Sequence, residues 1–562
     1  MFYKTQRLIK KDRGSGKHPK AWEWSVLALG LPLNMLGAVI GIELFIRTGI
    51  VPNTSIIGAL FAILISFIPF APFRVFKDIN RQNIIQTGIS ASTFSAANCM
   101  ILAIGIPVLM GRYDLMMPML IGSLIAIIID GCFMYRCFDS DIFPAEAPWP
   151  PGIATAETIR TVAGKGNESF LMPVGIIFGI VGKLGNIPMD LLGVSWLGDY
   201  GAMAAMAAGS IVIGILKANA ISFTVFNQNV ELMTNVFGKG FHFEDHIAFA
   251  YSAHGVMIGA GLVSLIQCFV NLYRDKAPEA DDLKESRTSS RLFKRSFVYT
   301  YLAYFVTAIV LAFITGLLGD MTGTKLLIWI AYAAFSAEAS EIIVGLSAMH
   351  TGWFPGFATA LIFLLIGMLM GFPAVSLGIL AGFIISTGPC FSDMAYDLKC
   401  GYILRGSGSD PAFELEGRRQ QLYAEIIGFI IAFLIVSVFA SYYFKQGLFV
   451  AVSQTFATTI DAGANPEVAR WLFIWAIPGA LIQLAGRKHQ SGILFATGLL
   501  VGNFLNGITI LIGLLLRRII VGKDKERQQM LNILVAGTLI GSTLCSFFTA
   551  TLGLIHFHGN KN

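Results

Sequence analysis

The chain has 562 residues, 55% of them hydrophobic and only 13% charged, with a formal net charge of +6. A soluble domain is nearer a quarter charged, and no polar stretch here is long enough to fold as a separate soluble domain. Many runs of about 20 apolar residues match a hydrocarbon core of about 30 Å, which predicts an all-α polytopic membrane protein; the runs do not alternate, as the strands of a transmembrane β-barrel would.

The opening segment, residues 1–21, is basic ahead of any long apolar run, so an uncleaved cytoplasmic N-terminus is expected. Apolar runs follow at about 22–47, 53–71, 84–110, 115–138, 170–187, 199–217 and 246–272. Residues 143–164 add a proline-rich element of uncertain span. A charged stretch, residues 273–296, divides this first half (22–272) from a second (297–556) and reads as a cytoplasmic linker. Runs in the second half lie at about 297–319, 325–348, 354–372, 374–391, 420–444, 469–486, 490–516 and 530–556, with a weaker one at 448–460 that either spans or is half-inserted. That last choice decides on which side the short tail, 557–562, emerges. Basic residues cluster beside the apolar runs, which reads as a topology signal and not as a nucleic-acid surface. Seven scattered cysteines form no CxxC pair, so neither a disulfide framework nor a zinc site is indicated.

Two segments do not suit lipid. FPAEAPWPPGIATAETIR (143–160) carries four prolines and two glutamates between apolar runs. Pro148, Pro150 and Pro151 remove amide donors, Gly152 allows a turn, and a helix with Thr155 and Glu157 is expected to follow. Either this is a broken helix beside a polar cavity, or it is a surface loop; composition alone supports both. ISTGPCFSDMAYDLKCGYILRGS (385–407) has the same character: Gly388-Pro389, then Ser392, then Asp393 and Asp397 one helical turn apart on one face. The alternative there is an ordinary capped helix end. A weak internal repeat lays PPGIATAETIR on PCFSDMAYDLK (389–399), and such repeats are common in secondary transporters.

Three stretches resemble hallmarks of the oligopeptide transporter superfamily, nearer its yellow-stripe-like and prokaryotic branch: Pro150-Pro151-Gly152-Ile153-Ala154-Thr155-Ala156; Ser392-Asp393 through Asp397, Lys399, Gly401 and Tyr402; and Gln82-Asn83-Ile84-Ile85-Gln86-Thr87. Ile153 stands where the family has threonine, and the motifs of the eukaryotic peptide-transporting branch are missing. The resemblance implies about 16 transmembrane helices in two related halves, with broken or re-entrant helices near the centre. It also implies secondary active, proton-coupled uptake of small peptides or metal chelates, such as siderophore or nicotianamine complexes, by alternating access. No cofactor is expected: the proton gradient drives transport, and any metal arrives as part of the substrate. The expected partners are that small-molecule or peptide substrate and the lipid bilayer, with no nucleic acid; a homo-oligomer is left open. The expected location is the plasma membrane, or the inner membrane of a bacterium.

Other polar residues sit inside apolar runs, where ionisable groups usually face the bundle interior. Glu338 and Glu341 share a helical face; two carboxylates so close in a low dielectric resist being charged together, which makes them the expected proton-exchange site. Glu43 and Asp130 read either as pathway residues or as interfacial residues near helix ends. Asn503 and Asn506 read as a shared polar face, for the pathway or for interhelical hydrogen bonding. His254 reads as a hydrogen-bonded helix-start histidine, and the pairs Gly37/Gly41 and Gly255/Gly259 as tight helix contacts. The pathway residues expected from sequence are therefore Gly152, Thr155, Glu157, Glu338, Glu341, Ser392, Asp393, Asp397, Glu43 and Asn503. A membrane-embedded enzyme and a channel are the alternatives. The first lacks any HExxH, GxSxG or P-loop constellation, and the second suits a short chain assembling around an axis better than one long chain.

Overall fold

A computed structural model describes residues 18–49, 75–147, 149–164, 170–274, 288, 290–351, 355–463, 466–522 and, in part, 524–545. The expected run at 53–71, most of the linker 273–296 and the tail 557–562 lie outside them.

In lipid a backbone must satisfy its own hydrogen bonds, and the apolar runs do so as helices. The first half contains α1 (Trp24–Thr48), α2 (Ile79–Phe94), a π-helical segment (Ser95–Ile101) leading into α3 (Leu102–Leu109), α4 (Met116–Cys137), α5 (Pro150–Gly164), α6 (Leu171–Leu184), α7 (Met189–Leu197) and α8 (Tyr200–Ala218). After a two-stranded antiparallel hairpin, β1 (Ala220–Val225) and β2 (Gln228–Thr234), comes α9 (Ser252–Arg274). The second half contains α10 (Ser290–Ile314), α11 (Gly323–Thr351), α12 (Gly356–Leu369), α13 (Ala374–Ile385), α14 (Gly388–Leu404), α15 (Pro411–Lys445), α16 (Ala451–Ala462), α17 (Pro466–Ala485), α18 (Ser491–Val501) and α19 (Phe504–Ile520). Among the described residues nine helical spans are long and apolar enough to cross a membrane. The protein is an all-α polytopic membrane protein with one small hairpin.

The two most buried spans, each 89% buried, are Ile79–Leu109 and Ala374–Leu404. Both are interrupted, the first by its π-helical segment and the second at Ser386-Thr387. They lie antiparallel. Gln86 near the start of the first bonds Asp397 near the end of the second, while Ser386 donates to the Cys99 carbonyl at their middles. The interruptions are tolerated because protein surrounds them.

Several boundaries depart from the sequence reading. The run at 490–516 is two helices, split at Gly502-Asn503. At 12 residues, α16 spans about 18 Å, too short to cross alone, in keeping with a half-inserted element. The Gly255/Gly259 face of α9 packs directly on α17, where a Cβ at position 255 would lie 2.7 Å from the Leu472 carbonyl oxygen. His254 is hydrogen-bonded to Thr455 of α16 at 3.2 Å.

Candidate functional site

The two proline-marked segments, 239 positions apart in the repeat alignment, pack against each other. Trp149 takes a left-handed φ of 40° and makes the turn. Helix α5 then starts at Pro150, where the missing amide costs nothing. The expected turn at Gly152 is therefore corrected: Gly152 lies inside the first helical turn, and its smallness serves contact. A Cβ there would sit 2.5 Å from the Tyr396 carbonyl oxygen and 2.8 Å from the Lys399 Cβ. Thr155 is buried and donates to the Pro151 carbonyl at 2.9 Å. From α14, Lys399 reaches back and donates to the Ala145 and Ala147 carbonyls at 2.6 and 2.8 Å. Phe143 and Trp149 close the junction edge-on against Phe391 and Tyr396. Lys399 thus clamps the proline-rich loop instead of facing a basic surface.

Along α14, Ser392, Asp393 and Asp397 are all buried. Ser392 stays within its own helix, its hydroxyl toward the Gly388 carbonyl at 3.5 Å. Asp393 and Asp397 share one face, as their spacing predicts, and α2 answers with the same period: Ser90 donates to Asp393 at 3.2 Å and Gln86 to Asp397 at 2.6 Å. Gln421 of α15 bonds both the Asp397 carbonyl and Thr87. Glu425, one turn further along α15, is 1% exposed, and its carboxyl and that of Asp397 act on each other. Asn83 links Gln86 to Arg405, which is held by Glu414 in a buried ion pair of 2.8 Å. Residues of all three sequence motifs therefore meet at α14, Gly152 of α5 by close contact and Gln86 of α2 by its hydrogen bond to Asp397.

A second buried acidic group lies near the start of α14. Glu341 accepts the Tyr304 hydroxyl, and its other oxygen and both oxygens of Asp130 on α4, a carboxyl that acts on it, are buried without a hydrogen-bond partner among the described residues. Glu338, one turn earlier on α11, is also buried and is acted on by the Glu341 charge. The expected Glu338/Glu341 proximity is present, but the carboxyl in contact with Glu341 belongs to Asp130.

The remaining sequence candidates are not joined to these groups. Glu43 is buried but satisfied elsewhere, by Arg47 at 2.5 Å and the Tyr443 hydroxyl at 2.8 Å. Glu157 is exposed. Asn503 is exposed and caps α19 by accepting from the Asn506 amide at 2.8 Å, so the shared Asn503/Asn506 helix face is corrected: an asparagine at a helix start is drawn to the free amides there. Tyr304, Glu425 and the pairing of Asp130 escaped sequence reasoning; an acidic residue spaced at a turn from a glutamine (Gln421/Glu425) inside a long apolar helix was the available signal.

The OPT oligopeptide transporter protein family model matches residues 21–273 and 191–552. The chain belongs to the OPT oligopeptide transporter family. No curated protein matches it. As a family member it is a multi-pass membrane transporter of the oligopeptide class. Among the described residues no group of three or more His, Cys, Asp or Glu side chains is placed to hold a metal ion.

Proposed function

We propose that the protein takes up small oligopeptides or metal chelates across the plasma membrane, coupled to inward proton movement and by alternating access, with its N-terminus in the cytoplasm. One observation carries the reading. Two interrupted, antiparallel spans meet in the protein interior along a ladder of acidic and amide side chains, Asp393 and Asp397 against Ser90 and Gln86. Ionisable groups buried at such a place are costly, and in transporters they mark substrate and proton paths at discontinuous helices. In this reading the bundles before and after the linker rock about α2 and α14. Gly152 and Thr155 line the junction, and Ser392, Asp393, Asp397, Glu338 and Glu341 lie on the path. Glu43 contributes to packing against α15.

The test uses purified protein in lipid vesicles with an inward proton gradient, offering short peptides beside iron, nickel and copper chelates. Accumulation above equilibrium, abolished by a protonophore, supports the reading. Passive equilibration would indicate a channel, and chemical conversion of the probe an enzyme. Uptake of one chelate with failure of all peptides would assign the substrate class.

A further inference from the structure

Two carboxyls from opposite sides of the charged linker meet in the interior. Asp130 of α4 and Glu341 of α11 are both 0% exposed. Both Asp130 oxygens and Glu341 Oε2 are buried without a hydrogen-bond partner among the described residues, and the two carboxyls act on each other, so a hydrogen bond between them requires a proton on one. Tyr304 of α10 donates its hydroxyl to Glu341, which orients that carboxyl toward α4. The other ionisable groups facing the pair are Cys390 of α14, Cys99 of the π-helical segment, Cys137 of α4 and Glu338 of α11. Among the described residues, none of the groups acting on Asp130 or Glu341 is cationic. Two negative charges side by side without a cation would incur a desolvation cost that nothing there offsets. A separate observation points to where a proton goes next: Glu338 is 2% exposed, is acted on by Glu341, and leaves its Oε1 without a hydrogen-bond partner among the described residues.

We propose that Asp130 and Glu341 hold the transported proton between them, with Tyr304 as a positioning residue and Glu338 as the next acceptor. The proposal rests on the proton-coupled reading above. With α4 and α11 together, one carboxyl keeps its O–H and the other is a carboxylate. When the two carboxyls part and water enters, the O–H breaks, a second carboxylate remains, and the proton passes to that water, which donates to the free Oε1 of Glu338. A proton thereby stabilises the closed contact between the two halves, and its loss favours their separation.

The test combines two readouts on the full chain in lipid vesicles. Infrared difference spectroscopy follows the carbonyl band of protonated carboxyls. Transport is followed as gradient-driven accumulation and as gradient-free exchange, with trialanine and nickel–nicotianamine as probes. In Asp130→Asn and Glu341→Gln the protonated-carboxyl band loses one component and accumulation falls roughly 5- to 150-fold, the usual span of linkage between two ligands, while exchange persists. Tyr304→Phe keeps the band but shifts the pH at which it disappears, which a merely structural tyrosine would not do. Glu338→Gln keeps the band and slows accumulation. Should Asp130→Asn fail to fold, Glu341→Gln decides alone. An unchanged band or unchanged accumulation in folded Asp130→Asn or Glu341→Gln overturns the proposal. If the wild type accumulates probe without a gradient, proton coupling itself fails; a band lost in the variants then leaves the pair a structural proton site, and its transport role is refuted.

Discussion

Replacing Gly152 by alanine tests the contact between the two proline-marked segments. The added Cβ would lie 2.5 Å from the Tyr396 carbonyl oxygen and 2.8 Å from the Lys399 Cβ. The first neighbour is helix backbone, which cannot rotate away, so overpacking falls near the upper end of its usual range, about 3 kcal/mol. Alanine returns about 1 kcal/mol of helix propensity. The expected net loss is about 2 kcal/mol, read as a lowered melting temperature by intrinsic fluorescence in detergent. Gly30→Ala is the control: nothing lies within 4 Å of a Cβ there, so it is neutral or raises the melting temperature slightly. A Gly152→Ala variant that melts at or above the wild-type temperature would refute the packing of α5 on α14.

Lys399→Met removes two charge-assisted bonds to the Ala145 and Ala147 carbonyls; a loss of about 1.5–3 kcal/mol per bond is expected to speed amide exchange through 143–149, and unchanged exchange would contradict the clamp. Glu414→Gln leaves Arg405 buried without its carboxylate and costs about 3–5 kcal/mol, whereas Asp114→Asn, at an exposed pair with Arg112, costs about 0–1 kcal/mol; equal effects on melting would contradict the burial contrast. His18 lies in the segment ahead of α1, where burial, and then the nearby Arg405 charge, lower its pKa from 6.5 to about 4. The undocked segment therefore binds a proton more readily than the docked one. Docking is fully stable above about pH 6.5 and weakens as pH falls toward 4, by on the order of 3 kcal/mol at most. Amide exchange of residues 18–23 should quicken across that window and lose its pH dependence in His18→Asn.

The sequence made the helical class and most spans legible because runs of about 20 apolar residues have few other uses. It also marked α14 and α2. Asp393/Asp397 and Gln86/Ser90 each repeat at four residues within apolar text, and such residues must find partners off their own helix. What stayed hidden depended on tertiary pairing. Nothing local to Glu341 says that its partner is Asp130 and not Glu338, since both satisfy the same spacing. Tyr304 looks like any aromatic in an apolar run until its hydroxyl has a neighbour. The hairpin at 220–234 leaves no mark among the apolar runs because its strands are short and only half-apolar. Its turn residues Phe226 and Asn227, both at positive φ, fit the tight turns that join such strands. Asn503 misled for a related reason: it shares a helical spacing with Asn506, yet Gly502 before it ends the helix and frees the side chain to cap the next.

The account stands on the interior face of α14 being reached from each side of the membrane in turn. Native Cys390, fully packed between Asp130 and Cys99, reports on that directly. Sealed vesicles of defined sidedness would be treated with a membrane-impermeant maleimide, and modification of Cys390 read by mass spectrometry. The account predicts labelling from one side without a gradient and from the opposite side when a proton gradient is imposed. Equal labelling from both sides without a gradient, or none under any condition, would contradict it.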